Sequence, residues 1–572
     1  MATPSSAAPD AAPDAVPADP VLALTAPGGP FALAEEDVLG VPLRVLVDRP
    51  RSLTAFVERA GRFGDREYLV HEERRVTFAE HVRDVASTAH AFRDRYGIGP
   101  GDRVAILAAN RPEWLTAFQA TAALGAIAVG MNGWWAADEI RYAVADCAPA
   151  LLVADRRRLD RLGGAAAAAR ELGVPVLEIE TEFAALTAHA RTAELPPGAA
   201  DEDDAALILY TSGTTGRPKG AVLTHRNVVA MQNLQALLAA RATAHLPAAA
   251  VAQAPPGRWL VNSPFFHVSG LLAGAVAALA GGHTMVLYGG RFEVPRLLDL
   301  IERERCTTWS LVPTVGWRVV DHPDTPTRDL TSIVRLGGGS AAFSPELVRR
   351  LQEVFPNAKG AIGVGYGLTE SGGVATTAGA AQLEGEPGAI GTAVPTVEVT
   401  VHHEDGTRQP DGVEGELWIR SPLVMRGYWR NEAATAQALT PDRRLRTGDL
   451  GYARDGRFHL ATRRSDLILR GGENVYPAEI EHCLDAHPEV AESVVVGVPH
   501  PEWGEEVKAI VVPAPGSTIT AERLGAHVAE RLAHFKVPAH WELRTEPLPR
   551  TPTGKVIRAV ATGAKPADLV EE

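Results

Sequence analysis

The sequence predicts an α/β protein in two parts, a large multi-layer N-terminal domain followed by a small α+β domain. Three observations carry this. At 572 residues the chain exceeds what one hydrophobic core serves, because single cores stop growing near ~250–300 residues. Between residues 43 and 452 helical stretches alternate with short apolar strands, the pattern of stacked helix and sheet layers. After residue 463 the pattern tightens into helix, strand, strand and helix within about 100 residues, the size of one small domain.

Residues 1–30 are rich in Ala and Pro and hold no Lys or Arg, so they lack the basic start of a targeting segment. Residues 1–40 are therefore expected to be a disordered tail. The large domain is expected over 41–463, with subdomains near 41–200, 201–345 and 346–463. Within it, Arg103–Leu107 and 150–153 read as strands, and the acidic run 201–204 as a solvated loop. A strand over 205–210 leads through a Gly-rich loop into a helix ending near 240, and 239–256 reads as a surface insertion. The apolar stretch 271–282 is shorter than the ~18 residues of a membrane span and reads as a buried helix. The small domain is expected over 467–560, with helices at 477–487 and 521–533 and strands at 493–498 and 506–512, and 561–572 as a tail.

A net charge of -14 gives no long-range attraction for a polyanion, which argues against nucleic acid as a partner. Cys147, Cys306 and Cys483 are far apart without CxxC spacing, which fits a reducing, cytoplasmic location and no metal cluster. The chain has six lysines against fifty arginines. A lysine kept inside a motif thus points to a need for a compact ammonium charge, which the planar guanidinium does not replace.

Lys219 stands in such a motif, Thr211-Ser212-Gly213-Thr214-Thr215-Gly216-Arg217-Pro218-Lys219-Gly220. Glycines let backbone N–H groups turn inward, the hydroxyls of Thr211, Ser212, Thr214 and Thr215 add donors, and Lys219 adds charge, together the parts a polyphosphate needs. Pro218 before the lysine and Gly220 after it exclude the GxxxxGK[ST] pattern. The loop resembles the signature of the adenylate-forming superfamily, which includes acyl-CoA synthetases, aryl-CoA ligases, luciferases and peptide-synthetase adenylation domains. The later motifs recur in that family's order, so the resemblance runs from about residue 50 to 560.

The resemblance implies roles for these motifs. Gly365-Tyr366-Gly367-Leu368-Thr369-Glu370 is expected to bring Thr369 to the α-phosphate and Glu370 to Mg²⁺, a hard cation that takes carboxylate and phosphate oxygens. Gly337-Gly338-Gly339-Ser340-Ala341 is expected along the adenine and the acyl pocket, and Asp449, in Arg446-Thr447-Gly448-Asp449, at the ribose hydroxyls. Arg463 is expected at ribose or phosphate and Ser465 as the hinge within 464–466, although the family usually has Gly where Thr462 stands and Asp or Lys where Ser465 stands. Arg470, Gly471 and Gly472 are expected at the coenzyme A tunnel, and Lys555, in Thr551-Pro552-Thr553-Gly554-Lys555, at the carboxylate and α-phosphate during adenylation. Pro264-Phe265-Phe266-His267-Val268-Ser269-Gly270 resembles the acyl-pocket segment. Amino-acid-activating relatives usually carry Asp where His267 stands, to balance an ammonium group.

The implied activity is ATP-dependent ligation of a carboxylic acid to coenzyme A through an acyl-adenylate. Small residues at Gly270, Ala273, Gly274, Gly337 and Gly338 suggest room for a fatty or other bulky acyl group. Two alternatives stay open: a ligase that loads an acyl carrier protein, and an adenylate-binding homologue that performs one half-reaction or none.

Overall fold

The computed structural model describes residues 20–198, 201–211, 218–339, 343–386, 388–463, 466–470, 473–500, 503–532, 534–550 and 556–561. It has a large N-terminal domain and a small C-terminal domain, built of mixed α/β layers. Two large sheets form the first. One has seven strands in the order Gly427–Tyr428, Lys219–Thr224, Ala205–Thr211, Ile127–Gly130, Arg103–Leu107, Leu151–Ala154 and Val176–Glu178. The last five of these are parallel to one another. Strands covered on both faces should read as unbroken apolar runs. Val104 to Leu107 and Leu151 to Ala154 are all fully buried, in agreement.

The second sheet has thirteen strands, and its middle is a parallel run of Glu67–His71, Thr284–Leu287, Arg258–Val261, Thr308–Leu311, Arg335–Gly338 and Ile362–Tyr366. Antiparallel strands from Thr376–Gly379 to Arg457–Arg463 extend one flank. In open parallel sheets ligands bind outside the carboxyl ends of the strands. Thr211, Gly338 and Tyr366 each end such a strand.

In the small domain the antiparallel pair Val490–His500 and Gly504–Pro513 is flanked by Ile468–Arg470, Glu473–Val475 and His540–Leu543. Helices Pro477–Asp485 and Ala521–Ala529 pack with it around Ile480, Leu484, Leu524 and Val528. Both are shorter than expected, and the expected second helix gives way to a separate turn at His534–Lys536.

Three expectations change. Residues 20–40 are not all tail: Pro20–Thr25 is a helix packed on His225–Thr243, and Leu33–Val38 pairs with Val41–Leu46. Leu39 and Gly40 both take positive φ in the two-residue turn, the geometry that matches the twist of a hairpin. The acidic run is solvated only in part: Asp201 and Asp204 are exposed, whereas Glu202 is 8% exposed and clamped by Arg49 and Arg226. The buried helix expected over 271–282 begins as a wide π-type turn at Leu271–Val276 before Ala277–Gly281. No helix among the described residues is long and apolar enough to cross a membrane.

Candidate active site

Thr211 and Lys219 face each other directly across an antiparallel pair, so the intervening loop leaves and re-enters the sheet at one point. Ser212, Gly213, Thr214, Thr215 and Gly216 lie outside the described residues. The Tyr142 hydroxyl donates to the Pro218 carbonyl at 3.2 Å and holds the end of the loop. Thr211 Oγ1 donates to Glu370 Oε1 at 3.2 Å, joining the carboxyl ends of the two large sheets.

Glu370 sits in the tight turn Thr369–Ser371, which follows Gly367 and Leu368 at the end of Ile362–Tyr366. Ser371 Oγ accepts from Leu368 N at 2.9 Å and Met425 N donates to the Glu370 carbonyl at 2.9 Å, so the turn is fixed from both sides. The second donor to Glu370 Oε1 is the Tyr428 hydroxyl at 2.8 Å. Tyr428 is absent from the motifs above. Its only local signal is a Gly-Tyr pair 58 positions away from Glu370, which nothing short of the strand pairing connects to the site.

Gly365 and Tyr366 lie one strand over from Gly337 and Gly338, with Gly339 next along the chain and Ser340 and Ala341 outside the described residues. The Tyr366 hydroxyl donates to Asp449 Oδ2 at 2.8 Å, and Asp449 is 2% exposed. Asp449 pairs in register with Arg463, which brings that arginine's backbone to the same edge.

His267 precedes the short turn Val268–Gly270. Asn110 anchors this segment, donating from Nδ2 to the Ser263 carbonyl at 2.8 Å and accepting from Phe265 N at 2.9 Å. Phe266 packs between His267 and the Trp134 ring, each 4.7 Å away centre to centre. Val268 approaches Gly373, just past the Glu370 turn: a Cβ there would lie 3.5 Å from it. The room expected at two glycines is already filled. A Cβ on Gly270 would lie 2.2 Å from the Pro264 carbonyl oxygen, and one on Gly338 would lie 2.3 Å from the Phe343 ring, so both serve close packing.

In the small domain Ser465, Gly471, Gly472 and Lys555 lie outside the described residues. Arg470 binds inside the domain, donating to Glu506 and to the Phe535 carbonyl at 3.0 Å, with its guanidinium 5.0 Å from the Trp503 ring centre. Asp466, beside the expected hinge, accepts from Arg558 Nε at 3.3 Å. Arg550 and Val556 bridge to each other at the base of the segment that carries Lys555. Arg550 Nη1 also donates to Thr314 Oγ1 at 3.1 Å. Thr314 opens the helix that follows Thr308–Leu311, so the base of this segment stands over the carboxyl ends of the thirteen-stranded sheet.

Residues 56–429 match the AMP-binding enzyme family, and residues 479–555 match the C-terminal domain of AMP-binding enzymes. The chain belongs to this family. It is an enzyme of the acid–thiol ligase class. It is similar to a feruloyl-CoA synthase from Amycolatopsis sp, 36% identical over 485 residues that span 84% of this chain and 92% of that protein. A long-chain-fatty-acid–CoA ligase from Bacillus subtilis (strain 168) is 31% identical over 539 residues, 88% of this chain and 92% of its own. Among solved structures, ATP-bound MatB from Rhodopseudomonas palustris superimposes with a TM-score of 0.77 at 29% identity, covering 90% of this chain and 99% of that one.

In this AMP-binding enzyme burial sets the protonation state of two groups near these strand ends. Burial lowers the His267 pKa to about 4, so the imidazole is neutral at pH 7. Burial first, and then the charge of Glu370, raise the Tyr428 pKa, which keeps its phenol protonated as a donor. Two other lysines are committed to ion pairs, Lys508 with Glu542 and Lys536 with Glu479, each at 2.6 Å. Lys219 instead has its ammonium 5.2 Å from the Tyr428 ring centre.

Proposed function

We propose that this enzyme activates a carboxylic acid with ATP as its acyl-adenylate and then transfers the acyl group to coenzyme A, releasing pyrophosphate and AMP. The observation that carries the reading is the convergence of Thr211, Lys219, Glu370 and Tyr428 where the carboxyl ends of parallel strands from the two large sheets meet. Asp449 and Tyr366 adjoin that place, and the base of the Lys555 segment stands over the same sheet ends. The two curated relatives named above are by name a feruloyl-CoA synthase and a fatty-acid–CoA ligase, and the solved structure is ATP-bound, which supports the same substrates.

In the first step the acid's carboxylate attacks the α-phosphorus. Lys219 and Lys555 offset the anionic charge that builds as two anions meet, an effect worth several kcal/mol where water is excluded. Thr211 and the other loop hydroxyls orient the phosphates, Thr369 contacts the α-phosphate, and Asp449 accepts from the ribose diol. Glu370 fits a Mg²⁺ ligand: both hydrogen bonds fall on Oε1, and among the described residues no group of three His, Cys, Asp or Glu gathers that could hold a metal alone. Mg²⁺ held by one carboxylate and the phosphates would neutralise charge on the leaving pyrophosphate. In the second step the small domain turns about Ser465 and presents Arg470, Gly471 and Gly472 to the pantetheine chain, whose thiol displaces AMP.

A neutral His267 among Phe266, Trp134 and Val268 gives no counter-charge for an ammonium group, which favours an acid without an α-amine. A Cβ at Gly337 would have only the Ser310 side chain near it, at 3.7 Å, and this supports a fatty or other bulky acyl group. The test is pyrophosphate release from MgATP over fatty, aryl and bulky cyclic acids, with coenzyme A, with a phosphopantetheinyl carrier protein, or with neither. Acid-dependent pyrophosphate with a CoA thioester as product is expected. Thioester on the carrier alone would replace coenzyme A as acceptor, and pyrophosphate from no acid would refute the adenylation step.

A further inference from the structure

We infer that Tyr428 is a positioning residue for the nucleotide end of the site, setting Glu370 through its hydroxyl and Lys219 through its ring. The inference deepens the ligase reading above and rests on it.

The register explains why one side chain reaches both charges. Thr211 is paired with Lys219, and Tyr428 with Ala221, two residues beyond Lys219. Side chains alternate across a strand, so Thr211, Lys219 and Tyr428 project from the same face, with Lys219 and Tyr428 as diagonal neighbours within reach of a long side chain. Glu370 crosses above this row. Its Oε1 takes hydrogen bonds from Thr211 Oγ1 at 3.2 Å and from Tyr428 at 2.8 Å. The Lys219 ammonium stands 5.2 Å from the ring centre, within cation–π range.

Tyr428 is itself tightly held. Arg426 N donates to the Val222 carbonyl at 2.8 Å and Trp429 N to the Gly220 carbonyl at 2.7 Å, bracketing the two-residue strand. Tyr428 N donates to Thr435 Oγ1 at 2.9 Å. Asn227 donates to the Pro422 and Val424 carbonyls at 2.8 and 3.1 Å, fixing the approach, and Met425 N then binds the Glu370 backbone. With both hydroxyl donors on Oε1, the carboxylate is held in place, and Oε2 would be the oxygen left to hold a cation.

Tyr428→Phe keeps the ring and every main-chain bond and removes only the donor to Glu370. A hydrogen bond to a charged group is worth roughly a tenfold change or more in an equilibrium. Tyr428→Phe should therefore weaken MgATP binding, measured by calorimetry without acid, by about tenfold. The Mg²⁺ concentration for half-maximal binding should rise. In a Glu370→Gln background the same substitution should add little. Tyr428→Leu, which also removes the ring from Lys219, should weaken ATP binding measured without Mg²⁺, where Tyr428→Phe leaves it unchanged. Wild-type Mg²⁺ dependence in a folded Tyr428→Phe enzyme, or equal losses with and without Glu370, would overturn the inference. Failure of the wild-type enzyme to bind MgATP would instead overturn the ligase reading.

Discussion

Glu202→Gln takes one negative charge out of a nearly dry cluster. The Arg49 and Arg226 side chains are 2% and 7% exposed, and Glu202 accepts from Arg49 Nε at 2.9 Å, from Arg49 Nη2 at 3.0 Å and lies 3.2 Å from Arg226 Nη1. Breaking a buried pair by removing one partner costs about 3–5 kcal/mol when the survivor is left uncompensated. Here Arg49 keeps Glu36 at 2.6 Å and Arg226 keeps Asp203 at 2.7 Å, so the cost falls to about 2–3 kcal/mol. Arg141→Gln serves as the contrast, because its partners Asp138 and Glu171 are 94% and 39% exposed and such surface pairs contribute about 0–1 kcal/mol each. Urea unfolding followed by tryptophan fluorescence reads both. A Glu202→Gln midpoint shift no larger than that of Arg141→Gln would refute the claim that Glu202, clamped by Arg49 and Arg226, stabilises the fold.

Acid should destabilise the large domain before most carboxylates titrate. His81 and His225 are buried, and burial lowers each pKa from 6.5 to about 4, so the unfolded chain binds protons that the folded one does not. Their contribution is complete above about pH 6.5 and lost as pH falls towards 4, up to about 3 kcal/mol each. Unfolding midpoints that stay flat from pH 6.5 to 4.5 would contradict this, and His81→Gln should remove part of the slope. Lys555→Ala should abolish acyl-adenylate formation while sparing thioester formation from supplied acyl-AMP. Equal loss of both steps would remove the role given to that lysine.

What the sequence made legible were features written in short stretches of chain. The strand Arg103–Leu107 announces itself as a run of apolar residues, and the strand that ends at Thr211 does the same. What it hid were partnerships across distance. Glu202 meets Arg49 over 153 positions and Thr211 meets Glu370 over 159, and no local periodicity encodes such pairs. The charge run at 201–204 therefore looked solvated, and nothing local singled out Tyr428. Gly270 and Gly338 misled for a related reason. A glycine reads alike in sequence whether a ligand or a neighbouring backbone and ring fill the space beside it, and here the neighbours do.

The central claim is that the acid is activated by attack on the α-phosphorus of ATP. It is tested most directly with a carboxylic acid labelled with ¹⁸O in both carboxyl oxygens, turned over with MgATP and coenzyme A. An acyl-adenylate route carries one labelled oxygen into the phosphate of AMP when the thiol displaces it, and leaves pyrophosphate unlabelled. Unlabelled AMP, or label in pyrophosphate or inorganic phosphate, would contradict the account.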